Sequence, residues 1–144
     1  MSAGELTLAI DFGTTNTVAV ARRDGSAAWV VSVDGAPHLP SAVLLGADGE
    51  LVVGVDALRL GRSSAHRLER SPKARLSEDT LLLGDTQIDV VTVVRAVLTK
   101  VCAAAARQAG GPVGHLVLTH PADWGAVRMG MLPRAAAGLA PRLS

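Results

Sequence analysis

The feature that most constrains the fold is the stretch from Leu6 to Val20, which reads LTLAIDFGTTNTVAV. One apolar run leads to a single acid, Asp11, and a second apolar run, Val18 to Ala21, leaves the short turn around Gly13. Alternating and β-branched residues on both sides predict two strands joined by a hairpin. We therefore expect the rest of the chain to be organised around this hairpin.

The turn of this hairpin combines residue types that suit phosphate. Gly13 can adopt a positive φ and lets a ligand approach the backbone. The hydroxyls of Thr14 and Thr15, together with successive backbone N–H groups, would form a concave set of donors for phosphate oxygens. Asp11 would hold a hydrated Mg²⁺ facing those phosphates, because Mg²⁺ keeps several waters and takes few carboxylates. The alternative is an ordinary hairpin whose turn contains the residues that turns prefer.

The composition argues against several classes of partner. The 14 basic and 13 acidic residues give a net charge of +1, which implies no bulk attraction to nucleic acid or to a membrane surface. The chain has one Phe, two Trp and no Tyr, so it offers no stacking platform for single-stranded nucleic acid. The longest apolar stretch, Val90 to Ala106, is interrupted by Arg95 and Lys100, which argues against a membrane span.

Cysteine usage points to a reducing compartment. Cys102 is the single cysteine, so an intramolecular disulfide or a cysteine zinc cluster is impossible. We expect Cys102 to be packed in the core rather than reactive. A cytoplasmic soluble domain is the resulting expectation.

Downstream of the hairpin, short strands and two helices predict an α/β layout with a mixed sheet. The segment from Arg62 to Glu78 is polar and basic without a clear period, and it is either a surface loop or an active-site excursion. The expected strands are a third strand over Ala27 to Val33 that completes an antiparallel meander, two strands over Ser41 to Leu45 and Leu51 to Val53, a hairpin over Thr80 to Ile88, and a strand over His115 to Thr119. A helical turn is expected over Val55 to Leu60, and a longer helix over Val90 to Gln108 with Asp89 as N-cap and Gly110 at its end. A last helix is expected from about Gly125, and Pro133 should kink or end it.

Four motifs in chain order carry a family resemblance. IDFGTTNT, Ile10 to Thr17, resembles the first phosphate loop of the DnaK-type heat-shock-70 chaperones, which belong to the actin, sugar-kinase and chaperone ATPase superfamily. LPSAVLLGADGELVVGVDA, Leu39 to Ala57, is similar to the family segment that runs from a Pro-Ser strand to Gly-x-x-Ala. Lys73 lies as far beyond Gly54 as the family's catalytic lysine lies beyond the corresponding glycine. VLTHPADW, Val117 to Trp124, is similar to the family's strand ending in Thr-x-Pro-Ala-aromatic.

The resemblance implies a ribonuclease-H-like lobe that binds Mg²⁺ with ATP or ADP. By the same resemblance, Asp11 would hold the Mg²⁺ shell, and Lys73 would position the attacking water and offset charge on the γ-phosphate. Phosphoryl transfer needs such positioning and electrostatic stabilisation more than covalent chemistry. The remaining carried-over nucleotide contacts are Gly13, Thr14, Thr15 and Asn16. The alternative for Lys73 is one more solvated cation in a basic segment.

Residues 1–144 would form the first lobe of the nucleotide-binding domain. The resemblance places the second phosphate loop, the catalytic glutamate, the adenosine-binding segment and the substrate-binding domain outside these residues, so they would supply half of an ATPase site. Pro121 would be the interdomain switch, but the family arginine that follows it is here Met129, with Arg128 one position short. The exposed face of such a lobe is expected to permit self-association.

Three functional interpretations follow. The first is an ATP-binding lobe of a chaperone, with unfolded proteins and co-chaperones as partners of the full protein; whether these residues hydrolyse ATP alone is left open. The second is a catalytically inactive relic lobe that acts as a protein-interaction module. The third is a sugar-kinase or actin-like relative, against which Lys73 and the segment around Pro121 argue.

Overall fold

The predicted hairpin lies at the centre of the main sheet. In the computed structural model, which describes residues 4–119 and 126–144, strand β1 (Leu6–Phe12) pairs antiparallel with β2 (Asn16–Arg23). Side chains alternate along β1, so that Leu8 and Ile10 are buried on one face while Asp11 is exposed on the other. The prediction of a hairpin from the two apolar runs is confirmed.

The sheet extends in both directions from this hairpin and is mixed. β3 (Trp29–Val30) and β4 (Leu39–Pro40) each pair antiparallel with β2. On the other side, β10 (His115–Thr119) is parallel to β1, and β11 (Arg142–Leu143) is parallel to β10. The strand order is therefore β11-β10-β1-β2-β3, with β4 beside β2. The expected α/β class, with an antiparallel three-strand meander in a mixed sheet, is confirmed.

The third strand is shorter than predicted. Only Trp29–Val30 pairs as a strand within the range from Ala27 to Val33, although the amide of Val31 still donates to the Ala19 carbonyl at 2.9 Å. The reason is the following turn at Asp34 and Gly35, both with positive φ (53° and 79°). This turn directs the backbone of Val33 into a bridge with Ala36 instead of continuing along β2.

After β4 and before the long helix α2 (Val90–Ala109), the chain forms a smaller layer of short elements. β5 (Val43–Leu45), β6 (Leu51–Val53) and β7 (Leu68–Glu69) form a second sheet with the order β6-β5-β7. Helix α1 (Val55–Leu60) follows β6. The segment from Arg62 to Glu78 holds β7 and two 3₁₀ helices, Ala65–Arg67 and Pro72–Arg75, where the sequence showed no period. The hairpin of β8 (Thr80–Leu83) and β9 (Thr86–Asp89) confirms the prediction.

The long helix α2 (Val90–Ala109) packs against the buried face of the main sheet. Its predicted apolar face is confirmed, and Gly110, with φ of 74°, ends it as expected. Asp89 occupies the N-cap position, but its side chain makes no capping hydrogen bond. The amide of Val90 is instead satisfied by the carbonyl oxygen of Asp79 at 2.9 Å, because β9 runs directly into the helix.

Helix α3 (Ala126–Ala136) joins α2 in covering the same face of the sheet. Pro133 lies within α3 and is exposed, and the helix continues to Ala136, so Pro133 does not end the helix; the alternative, a kink at Pro133, stays a prediction. Arg95 of α2 donates to the Ala135 carbonyl at 3.1 Å, which ties the two helices together. None of the helices within residues 4–119 and 126–144 has the length and apolar character needed to cross a membrane.

The opposite face of the main sheet carries an apolar row that crosses four strands. Registers place Val30, Val20, Ala9 and Val117 side by side on β3, β2, β1 and β10. Val20 and Val30 are exposed. We call this surface, defined by these four residues, the open sheet face.

Candidate functional site

The loop between β1 and β2 requires glycine at position 13 for a steric reason. A Cβ built on Gly13 would lie 2.0 Å from the backbone oxygen of Asn16, which is far inside van der Waals contact. Gly13 does not have a positive φ, so the expectation of a left-handed backbone there is wrong. The close return of the chain at Asn16, not a special dihedral angle, fixes the residue.

Ser41 locks this loop from behind. Ser41 is fully buried, its Oγ donates to the Gly13 carbonyl oxygen at 2.9 Å, and its backbone amide donates to the Thr15 carbonyl oxygen at 2.9 Å. Thr17 Oγ1 lies 2.9 Å from Ser41 Oγ and is also buried. Because the Ser41 proton is used on Gly13, Thr17 donates to Ser41, and the hydrogen bonds run from Thr17 through Ser41 to Gly13.

Sequence reasoning placed Ser41 only as part of a strand and missed this role. The Pro-Ser dipeptide in the motif from Leu39 to Ala57 was the available clue. The buried hydroxyl directs the loop outward, so that the side chains of Thr14 and Thr15 are exposed. Two hydrogen bonds from Ser41 thus hold the backbone of the loop, while Thr14 and Thr15 are exposed.

Asp11 lies at the carboxyl edge of the parallel strands. Its register partners are Val18 on β2 and Thr119 on β10, and its side chain is exposed. Thr119 Oγ1 donates to the Ile10 carbonyl oxygen at 3.3 Å. Ligands of α/β sheets bind outside the carboxyl ends of parallel strands, which is where Asp11 and Thr119 stand together.

The donor set around Asp11 fits a hydrated cation better than a protein-chelated one. Within the part of the chain that the structure describes, no group of three or more His, Cys, Asp or Glu side chains could hold a metal. A Mg²⁺ ion at Asp11 would therefore keep most of its ligands as water and phosphate oxygens. Mg²⁺ commonly binds in this way beside nucleotides.

Thr14, Thr15 and Asn16 line a pocket of about 290 Å³ on the side of the loop that faces the smaller layer. We call it the loop pocket, and its other lining residues are Pro40, Ala42, Leu58, Arg70 and Ser71. Asp11 and Lys73 are not among the lining residues. The structure therefore brings three of the predicted site residues together and adds Arg70 and Ser71, which the sequence had not singled out.

Lys73 lies in the 3₁₀ helix Pro72–Arg75, two residues beyond Ser71, and is half-buried. Arg70 and Ser71 of the segment from Arg62 to Glu78 line the loop pocket, so this part of the segment lies beside the loop. Pro121 lies outside the described residues. Only the backbone of Met129 is described, as part of α3.

A cavity of about 730 Å³ lies elsewhere, between β6 and α2, and none of the predicted site residues is among its lining residues. Its cations are engaged with the protein: Lys100 Nζ contacts the Asp34 carboxylate at 2.8 Å and the Val53 carbonyl oxygen at 3.1 Å, and Arg95 donates to carbonyl oxygens of α3 and the following turn. The loop pocket is smaller but combines donors of the loop with an arginine. It is therefore the better candidate for a phosphate ligand.

Comparison with known proteins finds similarity to a chaperone. No protein-family model matches the chain. The chain is 30% identical over 120 residues to the chaperone protein DnaK of Thermosipho melanesiensis. The match covers 82% of this chain and 20% of that protein, so the chain spans about a fifth of the length of its relative. This similarity agrees with the motifs in indicating a heat-shock-70-like relationship.

Proposed function

We propose that residues 1–144 form the phosphate-binding lobe of a DnaK-like ATPase, which holds Mg²⁺ and the phosphates of ATP for hydrolysis coupled to protein folding. One observation carries the proposal. The loop is fixed by Gly13 and Ser41 so that Thr14 and Thr15 face solvent, with Asp11 at the adjacent strand end. A loop that is already held in its binding shape loses little conformational entropy when phosphate binds.

The proposal for the fold is a ribonuclease-H-like lobe. Its support is the antiparallel meander of β1 to β3, which continues on the β1 side into parallel strands with helices between them. Unfolded proteins, co-chaperones and a cytoplasmic location are proposed for the whole protein on the same resemblance. For residues 1–144 we propose nucleotide binding as the activity, because the resemblance assigns the catalytic glutamate and the second phosphate loop to other parts of the protein.

The test is calorimetric titration of the chain with ATP, with and without Mg²⁺. We expect Asp11→Asn to weaken Mg²⁺-dependent ATP binding by about tenfold or more, because a charge-assisted contact through the metal shell is lost. Asp85→Asn, an exposed aspartate in the turn between β8 and β9, is the matched control and should bind as the parent does. ATP binding that is indifferent to Mg²⁺ and to Asp11→Asn would refute the assignment of this loop.

A second candidate, a non-catalytic interaction module, is favoured by the open sheet face. Arg22 and Asp11 flank the apolar row on opposite sides of the same face. A two-fold axis along the row would place the Arg22 edge of one copy over the Asp11 edge of another, so this surface is complementary to itself. We propose self-association as the interaction, and sedimentation velocity would show it as a dimer that Val20→Lys dissociates. A monomer at all concentrations would exclude this candidate.

A further inference from the structure

Arg70 gives the loop pocket a positive charge that no described side chain neutralises. Among the described residues that line the pocket, it is the one that carries a charge, and its side chain is exposed. Within residues 4–119 and 126–144, Arg70 makes no ion pair and no side-chain hydrogen bond. The pocket therefore favours a negative ligand.

The neighbouring carboxylate, Glu69, is already engaged. Its Oε1 accepts from Arg75 Nε at 2.7 Å, and its Oε2 accepts from the backbone amide of Ser71 at 2.9 Å. The hydrogen bond and charge of Glu69 raise the pKa of Arg75 above its ordinary value. Glu69 is thus paired with Arg75 and accepts the backbone amide of Ser71 beside the pocket.

Ser71 adds a hydrogen-bonding group without a partner. Its Oγ is buried and makes no hydrogen bond within the described part of the chain. Buried hydroxyls in native proteins almost always have a partner, and an unpaired one is costly. Ser71 lines the loop pocket, and rotation of its side chain toward the pocket would let a ligand oxygen supply that partner.

The remaining walls make these donors effective. Pro40, Ala42 and Leu58 give the pocket an apolar side, and electrostatic contacts beside apolar protein surface are stronger than in bulk water. Thr14 and Thr15 also line the pocket and carry hydroxyl groups. A guanidinium group binds phosphoryl oxygens through two parallel N–H donors, and the tetrahedral oxyanion leaves further oxygens for hydroxyl donors.

We propose that the loop pocket binds a phosphoryl group, with Arg70 as its cation and the Ser71 hydroxyl as a donor to it. This inference rests on the proposed function for its choice of a phosphoryl ligand, and it adds two residues that the resemblance does not assign. The group is either free inorganic phosphate or the terminal phosphate of a nucleotide.

The first measurement uses inorganic phosphate as the probe, titrated into the whole chain at constant ionic strength and followed by nuclear magnetic resonance. We expect Arg70→Ala to weaken phosphate binding at least tenfold, because a bidentate charge-assisted contact is lost. Arg62→Ala is the matched control, since Arg62 is an exposed arginine of the same segment that does not line the pocket. Failure of the parent chain to bind phosphate, or an equal loss in the two variants, would overturn the inference.

Ser71→Ala keeps the test independent of folding. Removing a buried hydroxyl that lacks a partner should leave the urea midpoint unchanged or raise it, while phosphate binding weakens several-fold. Phosphate binding equal to that of the parent chain would remove Ser71 from the site and contradict the proposal.

Titrations with Mg·ADP and Mg·ATP distinguish the two sources. If the terminal nucleotide phosphate occupies the pocket, Arg70→Ala weakens ATP binding more than ADP binding, and inorganic phosphate competes with ATP. If the ligand is free phosphate, it still binds when ATP is saturating. Arg70-dependent phosphate binding by a chain that binds no ATP would refute the proposed function and leave this inference standing.

Discussion

Gly13 and Ser41 determine the shape of the loop between β1 and β2, and neither of them carries a charge. Gly13 is fixed by the oxygen of Asn16, and Ser41 is fixed by its bonds to Gly13 and Thr17. The loop therefore depends on the absence of a side chain at Gly13 and on the hydrogen bonds of Ser41. Their substitution should be visible first in stability.

Gly13→Ala is expected to destabilise the chain by about 2 kcal/mol, because the added Cβ meets a backbone atom that cannot move without opening the hairpin. Urea unfolding measures this change. Gly130→Ala is the control with the opposite sign: a Cβ there meets nothing within 4 Å, and a helical alanine should add about 0.5–1 kcal/mol. Equal stability of Gly13→Ala and the parent chain would contradict the steric explanation.

Ser41→Ala is expected to cost about 1–3 kcal/mol, because it leaves the buried hydroxyl of Thr17 and the Gly13 carbonyl oxygen without their partner. Ser63→Ala removes an exposed hydroxyl with one long contact of 3.4 Å, so its change should stay within about 0.5 kcal/mol. The two variants are compared by urea unfolding. A loss in Ser41→Ala no larger than that in Ser63→Ala would show that the lock does not stabilise the loop.

At the scale of secondary structure, elements with a strong local pattern were predicted from the sequence. The period of α2 and the αL glycine at its end gave its limits to within one residue. The short elements of the smaller layer were harder to predict, because Leu68–Glu69 becomes a strand only by pairing with β5. The sequence identified the loop residues, but not the contribution of Arg70 and Ser71 to the pocket, since that arises from tertiary packing.

In helix α3, tertiary packing overrides the local tendency of Pro133 to break a helix. Met131, Leu132, Ala135 and Ala136 are buried against the core, and this burial keeps α3 helical through the proline. Pro133 lacks the N–H that an interior helical residue donates, and its ring opposes the preceding turn. The helix therefore carries a destabilising residue at an exposed position.

Pro133→Ala is expected to stabilise the chain by about 2 kcal/mol, after the higher entropy of the unfolded chain offsets part of the gain. Thermal and urea unfolding measure the change. Arg134→Ala, at the next exposed position, is the control and should alter stability by less than about 0.5 kcal/mol. A destabilised Pro133→Ala would mean that the proline is required by the shape of α3.

At the scale of the whole molecule, one core joins the main sheet, α2 and α3, and Cys102 is buried within it. Burial raises the pKa of the Cys102 thiol to about 11 from 9.0, and the charge of Arg95 opposes this only in part. Above pH 9 the unfolded chain loses the thiol proton while the folded chain retains it. The contribution to stability is therefore complete below about pH 9 and declines as the pH approaches 11.

Cys102→Ala should remove this part of the pH dependence, so that the parent chain loses on the order of 1 kcal/mol more than the variant between pH 9 and 11. Urea unfolding across this range, with both proteins at each pH, isolates the thiol from lysine and arginine titration. Parallel stability curves for the two proteins would show that the thiol titrates normally in the folded state.

The single buried cysteine also allows opening of the core to be followed by thiol labelling. Cys102 is only 8% exposed, so a bulky thiol reagent such as a disulfide dye labels it when the core around it opens, and the labelling rate at pH 8 reports those openings. A ligand that binds only the closed form lowers the labelling rate in proportion to the fraction of the protein that it occupies. Dye release on a plate reader would then rank phosphates and nucleotides without an attached fluorophore or an added tag.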